Sequence, residues 1–174
     1  LIESNPEYEM FRVFGGYDCG YLEGTDWEKA ESIRKSKIQE YIADISEENF
    51  KEWQKRLLLV IKNYESSKHS EYLYFSNIFL LGLGEQKPSI ALRLIQQNEN
   101  EFEPFLLRLI WGMWESKSAI IARELMSKWV EEDKHLQVCA SLFAYDVKEI
   151  DMQLLERIFE KAKKYKDVNA LNNV

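Results

Sequence analysis

The spacing of apolar residues constrains the fold of this chain more than any other feature. Near the middle they recur every three or four positions, at Phe50, Trp53, Leu57, Val60, Ile61 and Tyr64. The same spacing returns near the end, at Leu154, Leu155, Ile158, Phe159, Ala162 and Tyr165. Because one face of an α-helix repeats every 3.6 residues, this spacing predicts amphipathic helices that pack through their apolar faces. Only seven Gly and three Pro occur in 174 residues, which favours helices over a loop-rich or all-β fold.

The pattern predicts about eight helices between Asp26 and Tyr165, joined by loops of about one to six residues. Connections this short make sequential helices antiparallel. Asp26 is a suitable N-cap for the first helix, and Ser46 is expected to begin the second after a turn of one residue. An almost wholly apolar helix follows at 72–83, and Gly82 and Gly84 are expected to end it. Residues 26–174 are therefore predicted to form one helical domain.

Residues 1–25 are predicted to be an acidic, aromatic N-terminal arm outside the helical domain. Aromatic residues flank Gly15–Gly16, at Tyr8, Phe11, Phe14, Tyr17 and Tyr21. A Gly-Gly pair between aromatic segments is typical of a tight hairpin, and an irregular arm laid over the helices is the alternative. Residues 1–31 hold eight acids and two bases, whereas the rest of the chain holds 22 acids and 21 bases. The net charge of −7 therefore comes mainly from the N-terminal segment.

The helix layout from Asp26 to Tyr165 resembles the HEAT and armadillo-like repeats of large multidomain proteins. The resemblance rests on helix lengths, inward aliphatic residues and short turns. It implies an all-α fold of antiparallel helix pairs stacked as a short right-handed superhelix, an α-solenoid, which serves as a binding scaffold without catalytic residues. A compact irregular bundle is the alternative, because the pairs differ in length and share no motif. The chain starts at Leu1 rather than Met, so we expect a fragment of a larger protein.

The side chains that could act in catalysis or bind a metal do not form a pattern typical of either. His135 and Cys139 are four residues apart on one predicted helix face, but a zinc site needs about four ligands. Cys139 is expected to be a core residue. The acidic run at 131–133 points in different directions around a helix end, so its carboxylates do not converge on a substrate. We therefore expect no enzyme activity, no metal and no cofactor.

Three side chains are the candidate interaction residues. Trp111 and Trp114 flank Gly112, where one helix can approach another chain closely, and Trp is enriched among residues that dominate binding energy. Of the five Trp residues, Trp111 is the one expected to be exposed, because it lies beside the apolar stripe of its helix. Arg34 lies within an apolar stripe, where it must pair with a carboxylate, extend to water or bind an acidic partner.

The sequence thus favours a non-catalytic scaffolding or sensor segment that binds a protein or other domains of its own chain. A helical-repeat nucleic-acid-binding module is an alternative that requires a local basic stripe, since the overall charge disfavours nucleic acid. An enzyme with an acid-base site in a groove under the N-terminal arm is another. Two separated cysteines, no signal peptide and no apolar run of membrane-spanning length indicate a cytoplasmic protein without membrane contact.

Overall fold

The computed structural model describes residues 6–15, 27–67, 74–144 and 147–173. Within these ranges the chain is all-α and contains no strand. The ten α-helices are α1 (Pro6–Gly15), α2 (Trp27–Asp44), α3 (Phe50–Ser67), α4 (Leu81–Gln86), α5 (Pro88–Gln97), α6 (Leu106–Glu115), α7 (Ala119–Glu131), α8 (Leu136–Phe143), α9 (Met152–Tyr165) and α10 (Val168–Leu171). A π-helical segment, Tyr74–Leu80, runs directly into α4, and a 3-10 turn, Glu103–Phe105, precedes α6.

The helices form two layers. One layer runs α2, α4, α6, α8 and α10, each packed against the next member of the series. In the second layer α5 packs against α7 and α7 against α9. The side chains of Gln54 and Gln97 join α3 to α5 across a 3.1 Å hydrogen bond. From α4 onward consecutive helices also pack against each other, so the predicted stacking of helix pairs is confirmed.

Two glycines set the closest approach in the structure, between α4 and α6. A Cβ atom on Gly112 would overlap the carbonyl oxygen of Leu81 and lie 2.9 Å from the nitrogen of Glu85. A Cβ atom on Gly84 would lie 2.9 Å from the nitrogen of Met113. The two backbones are therefore in direct contact, which only Gly permits. The close approach that the sequence predicted at Gly112 exists, but it is made to another helix of the same chain.

The expectation that Gly82 and Gly84 end their helix was wrong. Both lie inside α4, which continues to Gln86, and the helix ends only before Pro88. The reason is tertiary: the cost of Gly within a helix, about 1 kcal/mol relative to Ala, is offset by the packing that the absent side chain allows. The preceding π-helical segment buries Phe75, Phe79 and Leu80 on one side.

The start of the second helix was also predicted wrongly. α3 begins at Phe50 rather than Ser46, and residues 45–49 connect it to α2. Asn49 accounts for this difference. Its side-chain oxygen accepts a hydrogen bond from the Ser46 N–H at 2.8 Å, and its side-chain nitrogen donates to the Asp44 carbonyl at 2.9 Å. These bonds hold the turn and delay the helix.

The N-terminal segment differs from the predicted arm where it is described. Residues Pro6–Gly15 form a helix rather than one half of a hairpin or an irregular arm. Met10 and Phe14 are buried, and the Phe14 ring lies 4.8 Å from the Phe79 ring and 5.1 Å from the Phe75 ring, measured between centroids. Burying these side chains favours the helix. The rest of the predicted hairpin, with Tyr17 and Tyr21, lies outside the described residues, and the boundary at 25/26 stays a prediction.

Replacing Gly112 with Ala should destabilise the fold, because the new Cβ atom would meet backbone atoms that cannot rotate away. We expect the free energy of unfolding to fall by about 1–3 kcal/mol or more. Gly82→Ala is the matched control: its Cβ atom would come closest to a side-chain end, Ile42 Cδ1 at 2.9 Å, and not to backbone. There the gain in helix propensity, about 1 kcal/mol, should offset most of the cost. Urea unfolding of both variants measures the difference, and equal losses would contradict the backbone contact.

Candidate interaction surfaces

Trp111 is a half-buried side chain of α6 that packs against the hydrophobic core. Of the four Trp side chains whose placement is described, Trp53, Trp114 and Trp129 are buried and Trp111 is half-buried. Its partly exposed neighbours on the same face are Leu107 and Arg108. The Arg108 guanidinium lies 5.3 Å from the centre of the Trp111 ring, within the range of a cation–π interaction. These three half-buried side chains form an amphipathic surface on the layer that contains α4, α6 and α8.

Trp114 lies on a different side of α6 and belongs to the core. Only 4% of it is exposed, and its indole N–H donates a 2.9 Å hydrogen bond to the carbonyl oxygen of Glu149. The ring meets Phe143 edge-on at 5.4 Å. Trp114 therefore joins α6 to α8 and to the segment before α9, so the two Trp residues on either side of Gly112 in the sequence do not share a surface.

Arg34 is buried, with 6% of its surface exposed, although it carries a charge. Its guanidinium carbon lies 4.4 Å from the centre of the Tyr74 ring, so the cation packs on an aromatic face. Arg34 lines a groove between α1 and α2 with a volume of about 380 Å³. The structure thus separates the three predicted residues: Trp111 is half-buried on α6, Trp114 is in the core, and Arg34 is in a groove.

A groove lies between α1 and α2, and we call it the α1–α2 groove; from the sequence, a groove under the N-terminal arm was considered only as an alternative acid-base site. Its described lining combines Val13, Ala30 and Ile33 with charged side chains of both helices. Ile33 is 50% exposed, an unusual placement for a large aliphatic side chain in a concave surface. The sequence signal was Ile33 itself, an aliphatic residue off the apolar stripe of α2. The groove could not be inferred from it, because α1 was not predicted to be a helix.

The acidic side chains considered for catalysis form ion pairs and hydrogen bonds that connect two helices. The acidic run ties α7 to α9: Glu131 binds Arg157 at 3.1 Å, and Asp133 binds Lys161 and, at 2.7 Å, the Tyr165 hydroxyl. The hydrogen bond from Lys161 holds the pKa of the Asp133 carboxyl below its usual value. These carboxylates face different partners, as the sequence indicated, and do not converge on one point.

The predicted pair of His135 and Cys139 is divided between two environments. His135 Nε2 lies 2.8 Å from a carboxylate oxygen of Glu99, and the imidazole meets the Trp129 ring edge-on at 4.7 Å. Cys139 is fully buried, and burial raises the pKa of its thiol to about 12. Within residues 6–15, 27–67, 74–144 and 147–173, no three His, Cys, Asp or Glu side chains cluster as metal ligands would. None of the helices described there is both long and apolar enough to cross a membrane.

No protein-family model, curated protein or solved structure matches this chain at a significant level. Clues to the function of the chain therefore come from its own surfaces.

Cys139 should resist thiol reagents in the folded protein, because it is inaccessible and remains protonated far above neutral pH. In a Cys19→Ser background, we expect negligible reaction with a chromogenic disulfide reagent at pH 8 and full reaction in urea.

Because the pKa of the Cys139 thiol is raised in the folded protein, the thiol loses its proton at a lower pH in the unfolded state than in the folded state. Stability should therefore fall as pH rises above about 9, and Cys139→Ala should reduce this loss. Rapid labelling of the folded protein would contradict the burial of this thiol.

Proposed function

We propose that this chain is a non-catalytic protein-interaction segment of a larger helical-repeat protein, and that Trp111 contributes to its binding surface. The observation that carries the proposal is the placement of Trp111. A two-layer helix stack that buries Trp53, Trp114 and Trp129 leaves Trp111 partly exposed beside Arg108. Trp and Arg are the residue types most enriched among those that dominate binding energy in interfaces.

The two-layer arrangement supports this proposal physically. Stacked helix pairs present an extended surface built from successive helices of one layer, which suits contact with another protein or domain. The stacking of Arg108 on Trp111 reduces the freedom of both side chains before a partner arrives, and this lowers the entropy cost of binding. A partner could cover the indole and the stem of Arg108 together.

The type of helical repeat is also part of what we propose. We infer a HEAT-like α-solenoid with a right-handed superhelical turn, on the basis of the two layers and the short connections between helices. A cytoplasmic location is part of the proposal, since the chain has two separated cysteines and no disulfide framework.

The charges in the α1–α2 groove favour binding over acid-base catalysis there. The two carboxylates of its described lining, Glu9 and Glu40, both pair with Lys37, at 3.5 Å and 3.1 Å. A catalytic pair needs two groups whose environments separate their protonation states. Glu9 and Glu40 share one ammonium group, so their surroundings are alike, as in a network of ion pairs with a structural role.

Trp111→Ala should remove a partner without unfolding the chain. Truncating a dominant interface residue costs about 2 kcal/mol or more, which corresponds to about 30-fold in Kd. The measurement is quantitative mass spectrometry of proteins that co-purify with the wild type, with Trp111→Ala and with Ile120→Ala. Ile120 is the matched control, because it is 58% exposed on a different helix.

A protein recovered by the wild type and by Ile120→Ala, but depleted about tenfold or more with Trp111→Ala, would support the proposal. Thermal unfolding must first establish that both variants stay folded at the assay temperature. Identical recovered proteins for all three forms would overturn the role of Trp111.

A further inference from the structure

The outer side of α9 carries an apolar stripe made of Met152, Leu155 and Phe159, which we call the α9 stripe. Met152 is 58% exposed and Phe159 is 41% exposed, and Leu155 between them is half-buried. At 3.6 residues per turn, the three positions lie within about 60° of one another around the helix. Exposed apolar side chains that are scattered singly need no explanation, whereas side chains that adjoin along one helix face indicate a contact surface.

The α9 stripe is separate from the face by which α9 joins the core. α9 packs against α7, α8 and α10. Its buried side chains are Leu154, Ile158 and Ala162. Arg157, which binds the Glu131 carboxylate of α7 at 3.1 Å, lies nearly opposite Phe159 around the helix axis. The stripe therefore faces away from α7.

One flank of the α9 stripe carries opposite charges in a fixed order. Glu156 comes three residues before Phe159 and Lys163 four residues after it, and both lie about 40–60° to the same side of it around the helix. Both side chains are exposed, and neither forms an ion pair with another residue in the part of the chain that the structure describes. The stripe thus has a carboxylate and an ammonium group at similar distances from its centre.

This order of charges is complementary to itself. If a second copy of α9 lies antiparallel on the first, with Phe159 at the two-fold axis, Glu156 of each copy faces Lys163 of the other copy. A parallel arrangement would instead place Glu156 opposite Glu156. The antiparallel arrangement also lays Met152 against the aliphatic stem of Lys166 from the second copy, because each is seven residues from Phe159. A two-fold interface uses the same surface on both copies, as this pairing requires.

We propose that two copies of this chain form a two-fold dimer in which their α9 helices pack antiparallel through the α9 stripe. The inference goes beyond the interaction proposed for Trp111 and does not depend on it. α9 has 14 residues, so it is about 21 Å long. A contact confined to one helix of this length is smaller than the roughly 1,200 Å² that stable complexes bury, so we expect a weak, concentration-dependent dimer.

A second copy fits the stripe better than a further helix added to the same layer. α7 and α9 run in the same direction, because Arg123 near the start of α7 binds Glu149 just before α9, whereas Asp133 after α7 binds Lys161 late in α9. A helix that extended this layer in the same direction would need the reverse order of charges to match α9. The order that matches α9 is that of its own antiparallel copy.

Sedimentation equilibrium of the full chain between about 5 μM and about 1 mM tests the proposal, and we expect a reversible dimer with a Kd of about 100 μM. Phe159→Asp should weaken dimerisation at least about tenfold, because it places two carboxylates together at the two-fold axis. Ile33→Asp is the matched control and should leave the Kd unchanged, since Ile33 is 50% exposed on α2, far along the stack from α9. Thermal unfolding checks that both variants stay folded.

Charge exchange tests the antiparallel pairing itself. Glu156→Lys and Lys163→Glu should each weaken dimerisation about fivefold or more, because each substitution places like charges opposite each other twice. The double variant should restore the wild-type Kd to within about twofold, because opposite charges again face each other. Both side chains are exposed, so these substitutions leave the core intact.

A wild-type chain that stays monomeric up to about 1 mM would overturn the proposal. A double variant that dimerises no better than the single variants, or a Glu156→Lys variant that dimerises more tightly than the wild type, would refute the antiparallel pairing and the proposal with it. Trp111→Ala should dimerise normally. Dimerisation without a Trp111-dependent partner therefore refutes the role of Trp111 alone, and the reverse result refutes the α9 dimer alone.

Discussion

The backbone contact between Gly84 and Gly112 is the constraint on which the two-layer stack depends. It brings α4 and α6 closer than any pair of side chains would allow. α4 also packs against α2 on one side and α5 on the other, and α6 packs against α7 and α8. The contact between Gly84 and Gly112 therefore sets the distance between the helices that pack on α4 and those that pack on α6. Leu83 and Leu109, beside the crossing, are fully buried because the helices meet so closely.

The candidate binding features follow from this packing. Trp111 is one residue before Gly112, so it lies beside the face of α6 that Gly112 turns toward α4, and it is half-buried. At the other end of the structure, aromatic packing of Phe14 against Phe75 and Phe79 holds α1 beside α2. The α1–α2 groove exists only because α1 is fixed there. A candidate surface residue and a packing residue are thus neighbours in sequence on each helix: Trp111 and Gly112 on α6, and Val13 and Phe14 on α1.

The sequence predicted the helices well where apolar spacing decides the structure. The stripe from Phe50 to Ile61 is buried as predicted, whereas the stripe of α9 buries Leu154, Ile158 and Ala162 but leaves Phe159 and Tyr165 exposed. It failed where tertiary contacts override local preference: Gly84 continues a helix because α6 packs on it, and Asn49 delays the start of α3. Tyr8, Phe11 and Phe14 are three residues apart, which suits a helix, but Gly15–Gly16 suggested a hairpin. Because that helix was missed, the walls of the groove, which belong to α1 and α2, could not be predicted.

The order of packing also bears on how the chain folds. Most helices contact those one or two places along the chain, so native contacts join residues that are close in sequence. Low contact order of this kind favours rapid folding, because little loop entropy is lost before a contact forms. A helix that leaves the ribosome can dock on the two helices made before it. The stack can therefore assemble in the direction of synthesis, without waiting for distant partners to arrive.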